Sequence, residues 1–129
     1  MKLAILGSGP GGYVAAVRAA QLGAEVTVIE EDEVGGTCLN WGCIPTKSLA
    51  SSSEMFSKAK RLQEFGIETT GNISPNFLKI LERKNRIVNL QIKGIRNLFK
   101  FHRITLREGR GQLISPSEIA FISKNGSHG

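Results

Sequence analysis

The alternation of apolar and polar residues predicts a strand, a turn and a helix at the start of the chain. An apolar run at residues 2–6 leads into a glycine-rich turn at 7–12. We expect a helix over residues 11–22, ended by Gly23, and a second strand over the β-branched run 25–30. Strand, helix and strand form a βαβ unit with a right-handed crossover. The predicted inner helix face is small: Ala15, Ala16, Ala19 and Ala20.

Helical spacing predicts two further helices in the middle of the chain. Residues 44–65 fit one helix, with Pro45 in its first turn and Gly66 as its stop. Ser74 is the expected N-cap of the second helix and Pro75 its first residue. The apolar stripe of that helix recurs every three, four or seven residues, at Phe77, Leu81, Val88, Ile92, Ile95 and Phe99.

Short strands follow, and they end in an unfinished hairpin. Strands are predicted at 103–106, 112–114 and 118–122, with a turn at 109–111. Asn125-Gly126 is a strong hairpin signal, yet three residues follow it. We therefore expect an α/β fold, a Rossmann-like βαβ domain with a small β-meander, which is not completed within residues 1–129.

Composition and charge narrow the classes of function. The chain has 129 residues and 40% apolar residues, which indicates one globular domain. No apolar run is long enough for a membrane span, and the first strand leaves no room for a targeting peptide, so a cytoplasmic location is expected. Residues 79–110 hold ten basic and two acidic residues. These fall mostly off the apolar stripe, which favours a solvated helix face over a nucleic-acid partner.

The glycine turn has the spacing of a dinucleotide-binding motif. Gly7, Gly9 and Gly12 form G-x-G-x-x-G between a strand and a helix, where backbone N–H groups can approach a pyrophosphate. Glu30 ends the second strand, 18 residues after Gly12, where its carboxylate can accept a hydrogen bond from a ribose hydroxyl. A glycine-rich turn with a solvent-facing glutamate is the alternative. The motif does not distinguish FAD from NAD.

The two cysteines of the chain, Cys38 and Cys43, form the second chemical motif. Cys43 lies at a predicted helix start, which favours a thiolate, and Lys47 follows one turn later. Cys38 lies in the preceding loop and is expected to be the more accessible thiol. Such a pair suits thiol–disulfide exchange. Unrelated thiols, a structural disulfide or a zinc site completed by His102 and His128 are alternatives, and no metal is expected.

Residues 35–47 read Gly-Gly-Thr-Cys-Leu-Asn-Trp-Gly-Cys-Ile-Pro-Thr-Lys. With the glycine turn and Glu30, they resemble the pyridine nucleotide–disulfide oxidoreductases and, within that family, the dihydrolipoyl (lipoamide) dehydrogenases. Segments at 65–67, 82–84 and 109–111 extend the resemblance over essentially the whole chain. It implies that residues 1–129 are an incomplete N-terminal FAD-binding domain, without the NAD and interface domains of the family.

The resemblance also implies roles for individual residues. Cys38 would be the interchange thiol that meets dihydrolipoamide, and Cys43 the flavin-side thiol, from which electrons pass to FAD and then to NAD. The implied cofactor-binding residues are Gly7, Gly9, Gly12, Glu30, Glu31, Gly36, Thr37, Cys38, Lys47 and Gly111.

The partners implied by the resemblance lie outside the chain. They are the lipoyl domain of a 2-oxoacid dehydrogenase or glycine cleavage complex, and a second subunit in a homodimer. Because the family's catalytic base and NAD site have no counterpart here, we expect no full turnover from residues 1–129 alone. A glutathione- or mercuric-reductase-like enzyme and a non-catalytic flavin-binding module are the alternatives.

Overall fold

The structure, a computed structural model, describes residues 1–124 as a four-stranded sheet with helices packed on it. Strand β1 (Lys2–Leu6), helix α1 (Pro10–Gln21) and strand β2 (Glu25–Glu30) follow one another along the chain. Strands β1 and β2 are parallel, with Leu6 opposite Ile29 at their carboxyl ends. The predicted α/β class and βαβ unit are therefore confirmed, while the predicted hairpin turn at 125–126 lies outside the described residues.

The third strand is longer than predicted and changes partners along its length. Strand β3 (Thr105–Ser115) pairs in parallel with β2 as far as Glu108 and then antiparallel with β4 (Glu118–Ser123). The predicted turn at 109–111 is wrong, because both of its glycines lie within β3. At Gly109 a Cβ atom would lie 2.2 Å from the Ile122 carbonyl oxygen, so this glycine allows close strand packing rather than a chain reversal.

The helices also differ from the predicted ones at their ends. Helix α2 (Gly36–Asn40) was not predicted, and the single helix expected over 44–65 is divided into α3 (Cys43–Ala59) and a 3-10 turn (Leu62–Phe65). Gly66 ends this segment as predicted, with φ +71°.

Helix α4 (Phe77–Phe101) forms over the predicted apolar stripe but begins differently. Asn76, rather than Ser74, is the N-cap, and its side-chain oxygen accepts a hydrogen bond of 3.1 Å from the Lys79 N–H. Phe77 is 66% exposed, contrary to prediction, because burial along α4 begins only at Ile80. The rest of the stripe is buried or partly buried.

The core lies between the sheet and helices α1, α2 and α4. Its buried residues are Ala16, Val26, Val28, Val34, Leu39, Val88, Ile95, Phe99 and Ile104. Ala19 and Ala20 pack against this core as predicted, but Ala15 is exposed, because one residue along a helix turns the side chain by about 100°. Within residues 1–124, no helix is long and apolar enough to cross a membrane.

Candidate functional site

The glycine turn between β1 and α1 is closed by backbone contacts. Gly7 has φ +88°, and its N–H donates a 2.8 Å hydrogen bond to the Ile29 carbonyl oxygen. A Cβ atom at Gly12 would lie 2.0 Å from the Gly7 carbonyl oxygen, so a side chain there is excluded. Because Gly9 caps α1 without a side chain, the first-turn N–H groups of Gly11 and Gly12 lack intrahelical acceptors and are available to an anion.

Glu30 is buried at the carboxyl end of β2, beside this turn. Its Oε2 atom accepts hydrogen bonds of 2.7 Å from both the N–H and the hydroxyl of Ser8. Its Oε1 atom accepts one of 2.9 Å from the Asp32 N–H. A carboxylate offers about four acceptor positions. One therefore stays available, which fits a ribose hydroxyl.

The charge on Glu30 is stabilised by its surroundings. Burial acts to raise the pKa of this carboxyl group, but the hydrogen bonds from Ser8 and Asp32, with the positive charge of Lys124, lower it below its ordinary value of 4.5. Lys124 also donates a 2.6 Å hydrogen bond to the Asp32 carbonyl oxygen. Glu30 is therefore ionised at neutral pH, as a partner for a ribose hydroxyl should be, and it would repel a 2′-phosphate.

Ser8 lies at the centre of this network, although the sequence pattern assigned it no role. It is fully buried, and both its hydroxyl and its carbonyl oxygen accept from the Gly35 N–H, at 3.3 and 3.1 Å. Ser8 thus connects the glycine turn to Glu30 and to the start of the cysteine segment. The available sequence signal was a hydroxyl residue between the first two glycines of the motif.

The glycine turn and the cysteine segment touch backbone to backbone. Gly35 and Gly36 have φ values of +100° and +63°, which turn the chain into α2. A Cβ atom at Gly36 would lie 2.8 Å from the Gly9 Cα atom. The two sequence motifs are therefore in direct contact in the fold.

The two thiols face each other across the junction of α2 and α3. Cys38 lies within α2 and Cys43 is the first residue of α3, and both are free thiols. The hydrogen bond with the Cys43 side chain raises the pKa of Cys38 above its ordinary value of 9.0, and burial adds to this, while the Cys43 N–H and the Lys47 ammonium act in the opposite direction. The ionisation of one thiol thus depends on the other.

The relative exposure of the cysteines is the reverse of the predicted one. Cys38 is half-buried and Cys43 is exposed. The reason is that α2 encloses Cys38 against the chain turn at Gly42, where a Cβ atom would lie 3.2 Å from the Cys38 Cα atom.

The other candidate cofactor residues are distributed around the same edge of the sheet. Gly111 packs onto the ends of β1 and β2, since a Cβ atom there would lie 2.5 Å from Leu6 Cδ2. Glu31 is exposed, with its Oε2 atom 4.0 Å from Nε of Arg110. Thr37 is exposed on α2. Gly111 thus lies beside Leu6, the residue before the glycine turn, and Glu31 and Thr37 are exposed next to Glu30 and Cys38 in the chain.

Comparison with known proteins agrees with this geometry. Residues 1–126 match the family model described as pyridine nucleotide-disulphide oxidoreductase. The chain is 46% identical to a dihydrolipoyl dehydrogenase of Bacillus subtilis, over 88% of this chain and 24% of that protein. It is 41% identical to that of Acholeplasma laidlawii, over 92% of this chain and 35% of that protein. The chain thus spans about a quarter to a third of the length of these relatives.

A solved structure shows the same fold. The crystal structure of LpdA from Mycobacterium tuberculosis superimposes with a TM-score of 0.88 at 26% identity, over 100% of this chain and 29% of that chain. The likeness confirms the predicted Rossmann-like α/β architecture, in which the expected small meander is a single antiparallel pair of β3 and β4.

Proposed function

Because the chain belongs to the pyridine nucleotide-disulphide oxidoreductase family, we propose that it forms the FAD-binding part of a dihydrolipoyl dehydrogenase and carries its redox-active cysteine pair. The observation that carries the proposal is the backbone contact between Gly36 and Gly9. It joins the helix that bears Cys38 to the turn whose N–H groups suit a pyrophosphate. The similarity to dihydrolipoyl dehydrogenases over most of the chain supports the same assignment.

The proposed FAD site uses the backbone more than side chains. The N–H groups at the start of α1 would bind the pyrophosphate, and the free acceptor position of Glu30 would bind a ribose hydroxyl. Gly36 and Gly111 contribute backbone without bulk, and Glu31 and Thr37 line the edges. We assign Lys47 to the flavin end from the family resemblance, and it lies one turn after Cys43, the proposed flavin-side thiol, on α3.

The proposed reaction at the cysteines is an exchange of two thiols for one disulfide. One thiolate of dihydrolipoamide attacks the Cys38 sulfur of an oxidised Cys38–Cys43 pair, which breaks that bond and leaves Cys43 as a thiolate. The second substrate thiolate then displaces Cys38, so that lipoamide leaves as a cyclic disulfide and the pair holds two electrons. Bound FAD would accept these electrons and pass them to NAD. Cys38 is given the interchange role from the family resemblance and not from its exposure, because Cys43 is the more exposed thiol.

The chain contains one G-x-G-x-x-G motif, so we propose that NAD binds outside these residues. For the same reason, we expect no NADH formation from residues 1–129 alone. The lipoyl domain of a 2-oxoacid dehydrogenase or glycine cleavage complex, and a second subunit, are the proposed partners of the complete enzyme.

The test is anaerobic reduction of bound flavin by dihydrolipoamide. The chain is oxidised, loaded with FAD and followed by its visible absorbance. We expect loss of flavin colour in the unchanged chain and in the control Ser51→Ala on α3, whereas Cys38→Ser and Cys43→Ser should bind FAD but keep its colour. Failure to bind FAD would contradict the proposed cofactor. Binding without reduction would favour a flavin-binding module, and reduction by glutathione instead would favour a different disulfide reductase.

A further inference from the structure

Arg83 of α4 is hydrogen-bonded to the helix that begins with Cys43. Its Nη1 atom donates to the Ser48 hydroxyl at 3.0 Å and to the Ser48 carbonyl oxygen at 3.3 Å, across 35 residues of sequence. We propose that Arg83 is a positioning residue for the Cys38–Cys43 pair, acting through Ser48. The inference rests on the proposed redox role of that pair.

Ser48 is well placed to transmit this effect. It lies in the second turn of α3, directly after Lys47, and it is 7% exposed. Its carbonyl oxygen also accepts a hydrogen bond of 3.2 Å from the Ser52 hydroxyl. A hydrogen bond from a guanidinium group is stronger than one between neutral groups. Without Arg83, the buried hydroxyl of Ser48 would lose this charged donor.

The thiol pair needs such an anchor because its members lie on two different helices. A disulfide tolerates only a narrow range of Cα and Cβ separations, so the bond depends on how α3 is oriented relative to α2. Helix α3 begins after Gly42 without a side-chain cap. Both α2 and α3 pack against α4, which is therefore their common support. Arg83 fixes the second turn of α3 to that support.

This contact distinguishes Arg83 from Arg86 within the basic block of α4. The sequence pattern predicted a solvated basic face along α4, and both Arg83 and Arg86 are exposed. Arg83 nevertheless reaches the neighbouring helix through its hydrogen bonds to Ser48. Arg86 therefore offers a matched control, with the same side chain on the same helix, three residues further along.

The test measures the redox equilibrium of the two cysteines in glutathione buffers, without flavin. One thiolate of the pair attacks glutathione disulfide and releases one glutathione, and the second thiolate displaces the other, so the pair loses two electrons and glutathione disulfide gains them. We expect Arg83→Met to lower the equilibrium constant for disulfide formation by about five- to tenfold, because the thiols lose their mutual orientation. Arg86→Met should leave the constant unchanged.

Two milder variants keep the test decisive if Arg83→Met does not fold. Arg83→Lys, which retains a charged donor, should recover part of the lost disulfide stability. Ser48→Ala should lower it, and the double variant should lose less than the sum of the single losses, because the residues act together. Equal constants in Arg83→Lys, Ser48→Ala and the unchanged chain would overturn the proposal. Since no flavin is present, a failure to bind FAD would count against the proposed function alone.

Discussion

The glycine turn is in contact with the segment that bears the thiol pair, but the polar groups of the two regions are held in different ways. Around the turn, the polar side chains of Ser8 and Glu30 have fixed partners and are buried, Ser8 fully and Glu30 with 8% exposed. At the thiols, Cys43 and Lys47 are exposed, and the sulfur of Cys38 finds its main partner in the other thiol. The first arrangement suits a group that stays bound. The second suits partners that change.

The pKa shifts of Glu30 and Cys38 show the same contrast between a fixed and a variable partner. The surroundings of Glu30 lower its pKa, so its charge persists and can recognise a ligand. The hydrogen bond with Cys43 raises the pKa of Cys38, so the charge there depends on the state of its neighbour. A charge that depends on a neighbour suits the proposed reaction, since forming or breaking a bond between the two sulfurs would change it.

The largest expected effect comes from filling the glycine turn. Gly12→Ala would place a methyl group 2.0 Å from the Gly7 carbonyl oxygen, which is backbone and cannot rotate away. We expect a loss of about 3 kcal/mol or more in the free energy of unfolding, measured by urea denaturation. Gly11→Ala is the control, because a Cβ atom there meets nothing within 4 Å. An equal loss in both variants would show that the turn is sensitive to any substitution.

A smaller loss is expected where the two regions meet. In Gly36→Ala, an alanine would be strained at the φ of +63° that this position has, and its Cβ atom would lie 2.8 Å from the Gly9 Cα atom. The two effects together should cost about 2 to 3 kcal/mol in the free energy of unfolding. Gly66→Ala has a similar φ of +71° but no neighbour within 4 Å, so it measures the backbone strain alone, about 1 kcal/mol. If the two variants lost the same stability, the contact between the regions would contribute nothing.

The glycine turn could be predicted from sequence because its determinants are local. The spacing of Gly7, Gly9 and Gly12 requires a tight turn, and the β-branched run ending at Glu30 forms β2 as expected. Ser8 was missed because its role depends on Glu30 and Gly35, which come close only after the βαβ unit folds.

The thiol region was predicted in part. The closeness of the Cys38 and Cys43 thiols followed from their spacing. Helix α2 did not, since five residues carry no helical period and its place depends on the buried Leu39. The greater exposure of Cys43 and the contact of Arg83 with α3 depend on packing between distant segments, as does Gly111 against the end of β1. Spacing along the chain contains no information of this kind.

Ser8→Ala tests whether the turn is stabilised through the charge of Glu30. Because the folded-state pKa of Glu30 lies below 4.5, its carboxylate stabilises the fold above that pH, and this contribution is lost as the pH falls through the folded-state pKa. Losing the Ser8 hydroxyl should cost about 1 to 2 kcal/mol at neutral pH and less in acid, measured by urea denaturation. The exposed Ser51→Ala is the control. A cost that does not vary with pH would point to packing instead.

The smallest expected effect lies at the thiols. Lys47 is exposed, and its ammonium acts to lower the pKa of Cys38 against the larger opposing effect of Cys43. Lys47→Gln should therefore raise the pKa of Cys38 further. Alkylation of the Cys38 thiol at neutral pH should slow by about twofold to threefold, a small effect because the charge of Lys47 is exposed. Lys58→Gln, in the last turn of the same helix, should leave the rate unchanged. A large effect of Lys47→Gln would mean that the thiols, like Glu30, depend on a fixed charged partner, and the contrast between the two regions would be lost.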